Sequence, residues 1–245
     1  MDYKHIVVKN GAVSTVALNR PEVRNAMSDQ TLKEITHCFL AFAKSASLRA
    51  VVVSGEGRDF CAGADIEWMR RAGKLSPAAG RKDARLLADM CRAVDECPVP
   101  VIARVQGAIY GGGLGLVSAC DIVVAEENAK MCFSECRLGI LPAVVSCFVL
   151  PKIGVAARRY YLTAEVFGMA QARELGLVHE VVAEAELKAK VDVLVGQVMN
   201  NGPRAVREAK ALIGKLPGMA LEKRIKLAVD TLVRVRSSAE GQEGL

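Results

Sequence analysis

The strongest constraint on this chain is a change of periodicity three-quarters of the way along it. Up to about residue 182, short apolar, β-branched runs alternate with helical patterns; beyond it only helical patterns remain. The runs at 6–8, 13–18, 50–53, 99–105 and 122–125 are bounded by Gly, Asn, Pro or charge, as buried strands are. Between them, Ser28 can cap a helix whose apolar residues Leu32, Ile35, Phe39 and Phe42 recur every three or four positions. A second helix around 84–94 places Leu87, Cys91 and Val94 on one side. Residues 184–200, 203–215 and 219–236 read as successive helices, with Pro203 placed to start one. The expectation is an alternating β/α body, 1–183, followed by a helical region, 184–245, of the kind that packs against a neighbouring subunit.

Composition removes several function classes. With 51% apolar residues and both signs of charge mixed along 245 residues, the chain can bury one large core, which excludes global disorder. The longest nearly uncharged stretch, 138–151, is interrupted by Pro142 and is shorter than the roughly 20 residues a membrane helix needs. Met1-Asp2-Tyr3-Lys4-His5 runs straight into a strand and lacks the charged and apolar regions of a signal peptide, so a soluble, cytoplasmic protein is expected. A net charge of +6 without a block of five like charges does not indicate a nucleic-acid arm and suits an anionic small molecule equally well. The eight cysteines form no C-x-x-C pair and read as free thiols. Three scattered histidines offer no metal-binding face, and no metal is expected.

Two glycine-bearing turns follow strands: Asp59-Phe60-Cys61-Ala62-Gly63-Ala64-Asp65-Ile66, and Gly107-Ala108-Ile109-Tyr110-Gly111-Gly112-Gly113-Leu114-Gly115, the second opening a helix. Neither carries a dinucleotide fingerprint, because Leu116 and Ser118 stand where glycine is needed. Gly73-Lys74 and Gly214-Lys215 are each followed by Leu, so neither is a P-loop, and no G-x-S-x-G elbow exists. Either turn alone reads as a tight connection. Together they could bring one N–H each to a single point and hold a developing oxyanion, with a helix N-terminus behind. Such a site needs a proton carrier. The best-placed acid is Glu135, which taken alone reads as a surface carboxylate or one paired with Arg137.

Six motifs in order then resemble the crotonase (enoyl-CoA hydratase/isomerase) family. They are Leu18-Asn19-Arg20-Pro21 with Asn25-Ala26-Met27; Phe60 to Ile66; Gln106-Gly107 with Gly111-Gly112-Gly113; Cys120-Asp121-Ile122; Glu135 with Leu138-Gly139 and Pro142; and Ala172 with Gly176-Leu177-Val178. The resemblance implies an α/β spiral of ββα units with a C-terminal helical region that builds trimers, often paired into hexamers. It implies oxyanion donors at the N–H of Ala64 and Gly112, and Glu135 as the acid/base that exchanges a proton with the α-carbon. Burial among Phe133, Leu138 and Leu141 would raise the pKa of Glu135 toward that task. Arg24, Ala26, Ala62, Asp65, Ile66, Gly111 and Leu138 match positions that line the acyl-CoA cleft. The CoA belongs to the substrate, so no separate cofactor is implied.

Two departures sharpen the resemblance. Hydratases of the family usually carry a second glutamate two residues after the glycine triplet, where this chain has Gly115. Their Pro-Gly-x-Gly-Gly run is replaced by Pro142-Ala143-Val144-Val145-Ser146. With Ala157-Arg158-Arg159-Tyr160-Tyr161-Leu162-Thr163-Ala164-Glu165 and Asp65-Ile66-Glu67-Trp68-Met69, this pattern resembles bacterial methylglutaconyl-CoA hydratases of leucine and acyclic-terpene breakdown. The substrate would then carry a distal carboxylate, for which Arg70, Arg71 or another basic side chain is the expected partner. The leading expectation is a hydratase acting on an α,β-unsaturated CoA thioester in fatty-acid or branched-chain amino-acid degradation. The alternatives are a Δ3-Δ2 enoyl-CoA isomerase using Glu135 alone and an RNA-binding member of the family. RNA binding would draw on Arg81, Lys82 and Arg85 or the basic residues of 204–215. Relatives usually continue past Leu245 with a short basic, aromatic-bearing helix near the cleft, so a last turn or two of helix is expected beyond it.

Overall fold

The computed structural model describes residues 3–245; Met1 and Asp2, the start of the leader reading, lie outside them. Strands β1 (Ile6–Lys9), β2 (Val13–Leu18), β3 (Ala50–Gly55), β4 (Val101–Val105), β6 (Ile122–Glu126) and β9 (Glu180–Val182) form one sheet in that spatial order. β1 pairs antiparallel with β2, and all later pairs are parallel: Val16 lies beside Val53, Val53 beside Ala103, and Ala103 beside Val123. Val53, Ala103 and Val123 are almost wholly buried, as expected of parallel strands covered on both faces.

A second sheet consists of β5 (Ala108–Tyr110), β7 (Lys130–Cys132) and β8 (Phe167–Gly168). β4 and β6 each run on, through a short turn, into a strand of this second sheet and then a helix. β5 is followed by α4 (Gly112–Ala119), and β7 by α5 (Ala143–Ile153). Cys61 makes an equivalent bridge to Ile109 after β3, ahead of α2 (Ile66–Ala72) and α3 (Pro77–Asp95). The body is therefore a spiral of ββα turns. The sequence reading missed β5, β7 and β8 because strands of two or three residues are too short to show a period.

Helix α1 (Asp29–Phe42) starts at Ser28, which caps it in a reciprocal box with Thr31, and Leu32, Ile35, Phe39 and Phe42 are all buried. α3 begins seven residues before the expected 84, at Pro77, where Ser76 caps it. α6 (Ala157–Thr163) and α7 (Met169–Glu174) complete the body. Then come α8 (Leu187–Asn200), α9 (Pro203–Lys215), α10 (Leu221–Arg236) and α11 (Ala239–Glu243), close to the expected helices.

α9 docks on the body through cations. The Arg207 guanidinium donates to the carbonyls of Ser45 and Leu48, and Lys210 Nζ to Val99 O and, at 2.6 Å, to Asp121. Two basic residues considered for RNA are thus engaged in the fold. On the other side Ile213, Leu221, Ile225, Val229 and Leu232 are 48–72% exposed. All eight cysteines are free; six are buried, and Cys136 and Cys147 are exposed. Among the described residues, no helix is long and apolar enough to cross a membrane.

Candidate active site

The first glycine turn is fixed by backbone pairing on both sides. Cys61 N–H donates to Ala108 O at 3.0 Å, and Tyr110 N–H donates to Cys61 O at 2.9 Å. Ala62 N–H then donates to Arg24 O (2.9 Å), Met27 N–H to Gly63 O (2.8 Å) and Asp65 N–H to Met27 O (2.9 Å). These bonds make Met27 the parallel partner of Ala64. In such a bridge the N–H of Ala64 points away from Met27, and among the described residues it has no partner.

The second turn ends at Gly111, whose N–H donates to Cys132 O at 3.0 Å and whose φ of 48° with ψ of −118° favours glycine. Gly112 opens α4, so its N–H is one of the helix's first four and has no intrahelical partner. A Cβ on Gly112 would lie 3.0 Å from Met27 Cε. Met27 therefore stands between the turns, with its backbone against Ala64 and its methyl against Gly112. The two turns thus pack on one residue, and the Gly112 N–H belongs to the positive end of α4.

Glu135 reaches the same place through the second sheet. Tyr110 pairs with Cys132, Phe133 is fully buried, and a 3₁₀ turn (Ser134–Leu138) carries Glu135 back against Gly111. Glu135 Oε1 lies 3.4 Å from the point a Cβ on Gly111 would occupy. Oε2 is buried without a hydrogen-bond partner, and burial holds the carboxyl above the ordinary Glu pKa. The Arg137 alternative fails, because that guanidinium donates to Ala164 O. The expected burial also needs correction. Phe133 is buried, but Leu138 and Leu141 are 59% and 67% exposed, because Gly139 ends the turn in the left-handed region and directs the chain outward.

Gly115 and the altered 142–146 run turn out to be one feature. A Cβ at residue 115 would lie 2.7 Å from Val145 Cγ1 and 3.2 Å from Cys91 Sγ. Val145 stands where the family pattern has glycine, so the space a glutamate at 115 would need is filled from α5. The next residue, Ser146, places its hydroxyl 3.2 Å from that of Tyr161, whose ring packs 4.7 Å from Phe133.

Comparison with known proteins shows the family. The family model described as enoyl-CoA hydratase/isomerase matches residues 8–245. The chain belongs to that family. It is similar to a crotonyl-CoA hydratase of Syntrophomonas wolfei, 30% identical over 250 residues that cover 100% of this chain and 95% of the relative. It is also similar to a short-chain-enoyl-CoA hydratase of Clostridium acetobutylicum, 32% identical over 240 residues, 97% of this chain and 88% of the relative. A crystal structure of an enoyl-CoA hydratase from Shewanella pealeana superposes with a TM-score of 0.94 at 33% identity, covering 99% of this chain and 92% of that one.

Five of the residues matched to the CoA cleft of the enoyl-CoA hydratase/isomerase family share one pair of bonded segments. Arg24, Ala26, Ala62, Asp65 and Ile66 lie on the paired segments 24–27 and 62–66, with Ile66 62% exposed. Asp65 spends its carboxylate internally: Oδ1 accepts from Trp68 N–H to cap α2, and Oδ2 accepts from Arg20 at 3.0 Å. What Asp65 presents to a ligand is backbone. Leu138 lies exposed on the Glu135 turn. Arg70 and Arg71 are exposed on α2, with the Arg71 guanidinium 3.8 Å from Asp29. Met27 and Val145 are motif members whose packing, Met27 against both turns and Val145 against Gly115, only the structure shows.

Proposed function

We propose that this chain is an acyl-CoA hydratase that adds water across an α,β-unsaturated CoA thioester, with 3-methylglutaconyl-CoA as the substrate suggested by residues 134–146 and 157–165. The observation that carries the reading is Glu135: its carboxylate lies against Gly111, next to the unpartnered N–H of Gly112, with one oxygen buried without a partner, and the unpartnered N–H of Ala64 on the adjoining turn supports it. The thioester carbonyl oxygen would accept from both N–H groups. Glu135 would take a proton from water as the water oxygen bonds to the β-carbon, leaving an enolate in the oxyanion site. The protonated Glu135 would then give that proton to the α-carbon, so the net change is addition of one water. Each donor is worth roughly 3–4 kcal/mol of transition-state stabilisation.

No cofactor or metal enters these steps. The exposed apolar side chains of α9 and α10 support a homo-oligomer, a trimer or a dimer of trimers, and eight free thiols suit a reducing compartment such as the cytoplasm. The filled space at Gly115 also favours a second reading, a Δ3-Δ2 isomerase in which Glu135 alone shuttles the proton.

A turnover panel of crotonyl-CoA, 3-methylglutaconyl-CoA and a 3-enoyl-CoA in ¹⁸O-water tests both. Label at the β-carbon is expected, whereas double-bond migration without label would establish the isomerase. Glu135→Gln should lower kcat by about 10²–10⁴-fold; an unaffected variant would end both readings. Because burial raises the Glu135 pKa, the acid limb of kcat/KM should lie above the ordinary carboxylate range.

A further inference from the structure

We infer that Asp59 is a positioning residue for the oxyanion site, an inference that rests on the roles proposed for Ala64 and Gly112. Its side chain is only 4% exposed and makes three charge-assisted or backbone bonds at once. Oδ2 accepts from Arg24 Nε at 2.7 Å, while Oδ1 accepts from Arg24 Nη2 at 3.2 Å and from Ala108 N–H at 2.8 Å. Arg58 adds a longer contact at 3.6 Å. Each partner leads to one of the two turns.

Ala108 opens β5, the strand that ends immediately before Gly111 and Gly112. Arg24 leads to the other donor, since its carbonyl accepts from Ala62 N–H, two residues before Ala64. Arg24 and Asn25 both have φ of 55°, a conformation that non-glycine residues hold only when their surroundings impose it. Asp59 supplies part of those surroundings: its carboxylate grips the Arg24 side chain, and its carbonyl accepts from Asn25 Nδ2 at 2.8 Å, alongside the Asn25 bonds to Glu56 O and from Arg20 N–H. Gly107 completes the junction. A Cβ there would fall 2.7 Å from Asp59 Oδ1 and 2.3 Å from Arg58 O, so any side chain would push the second turn off the first. One buried carboxylate thus ties the strand leading to Gly112 and the loop supporting Ala64 to a single point. Arg24, half exposed, is held by the same group.

Asp59→Asn weakens one arm selectively, because an amide oxygen at Oδ1 can still accept from Ala108 and from Arg24 Nη2, while the amide nitrogen cannot accept from Arg24 Nε and the carboxylate charge is lost. Arg24→Gln removes the same arm from the exposed side and leaves the buried carboxylate in place. The readouts are kcat and KM on crotonyl-CoA, melting temperature, and the carbonyl stretch of bound crotonyl-CoA labelled with ¹³C at the thioester, which oxyanion donors lower in frequency. The expected result is a kcat loss of about ten- to a hundredfold in both variants. The carbonyl shift should shrink in both, and the double variant should be no worse than Arg24→Gln alone. If both variants keep the full carbonyl shift and the wild-type kcat, with only the melting temperature lowered, Asp59 is structural and the inference fails alone. A wild-type enzyme that produces no carbonyl shift would overturn the oxyanion reading and this inference with it.

Discussion

The two glycine-bearing turns are held in place by opposite means. The first is surrounded by polar side chains. Asn25 donates to Glu56 O and Asp59 O and accepts from Arg20 N–H, all at 2.8 Å, and Arg20 bonds both Ala26 O and Asp65. The second is held by the absence of side chains: Gly113 and Gly115 let Cys61, Cys91 and Val145 approach α4 so closely that a methyl group has no room. One turn depends on hydrogen bonds that must all be made, the other on volume that must not be added. The first should therefore respond to pH and to loss of polar groups, and the second to steric bulk.

The largest effect should come from the polar turn. Asn25→Ala removes three hydrogen bonds, leaves two carbonyls and one N–H inside the loop without their partner, and keeps a non-glycine residue at φ 55°. A loss of about 2–4 kcal/mol is expected in chemical denaturation, at roughly 1 kcal/mol per bond. If Asn25→Gly proves equally destabilised, the hydrogen bonds dominate; a marked recovery in the glycine variant would shift the cost to backbone conformation.

Next comes Gly113→Ala, which puts a methyl 2.9 Å from Cys61 Cβ and 3.2 Å from Cys61 O. Overpacking of this kind costs about 1–3 kcal/mol. Because Cys61 belongs to the first turn, kcat should fall with stability. A stable Gly113→Ala enzyme with unchanged kcat would show that the turns can slide past one another, contrary to the view of them as a single unit.

The smallest effect is pH dependence. Asp59 and Asp65 both titrate below the usual carboxylate range despite their burial, because Arg24 and the Ala108 N–H hold the first and the Trp68 N–H and Arg20 hold the second. Depressed folded-state pKa values mean that this stabilisation is present above the unfolded value of about 3.9 and is lost as pH falls through the folded values. Stability measured from pH 6 downward should drop in that window, and less steeply in Asp59→Asn.

Much of this site was legible in the residues themselves. Ser28, Pro203 and the three-to-four spacing of Leu32, Ile35, Phe39 and Phe42 announce their helices, since caps and periodicity are local properties of the chain. The glycine turns and Glu135 stood out for the same reason: small residues after strands and one acid in a weakly charged stretch.

What the residues could not express is which side each group faces. Glu135 was open to a surface or ion-paired reading until the pairing of Tyr110 with Cys132 brought it against Gly111, and Arg137 turned out to bond Ala164 O. Leu138 and Leu141 look like core in one dimension and are exposed in three. Local pattern thus determined the longer elements, the family and the chemical inventory of this protein. Only the tertiary structure decided that Val145 fills the space beside Gly115, that Met27 packs against both turns and that Asp59 ties both turns together. Steric exclusion and hydrogen-bond pairing between residues tens of positions apart leave no local signature in the chain.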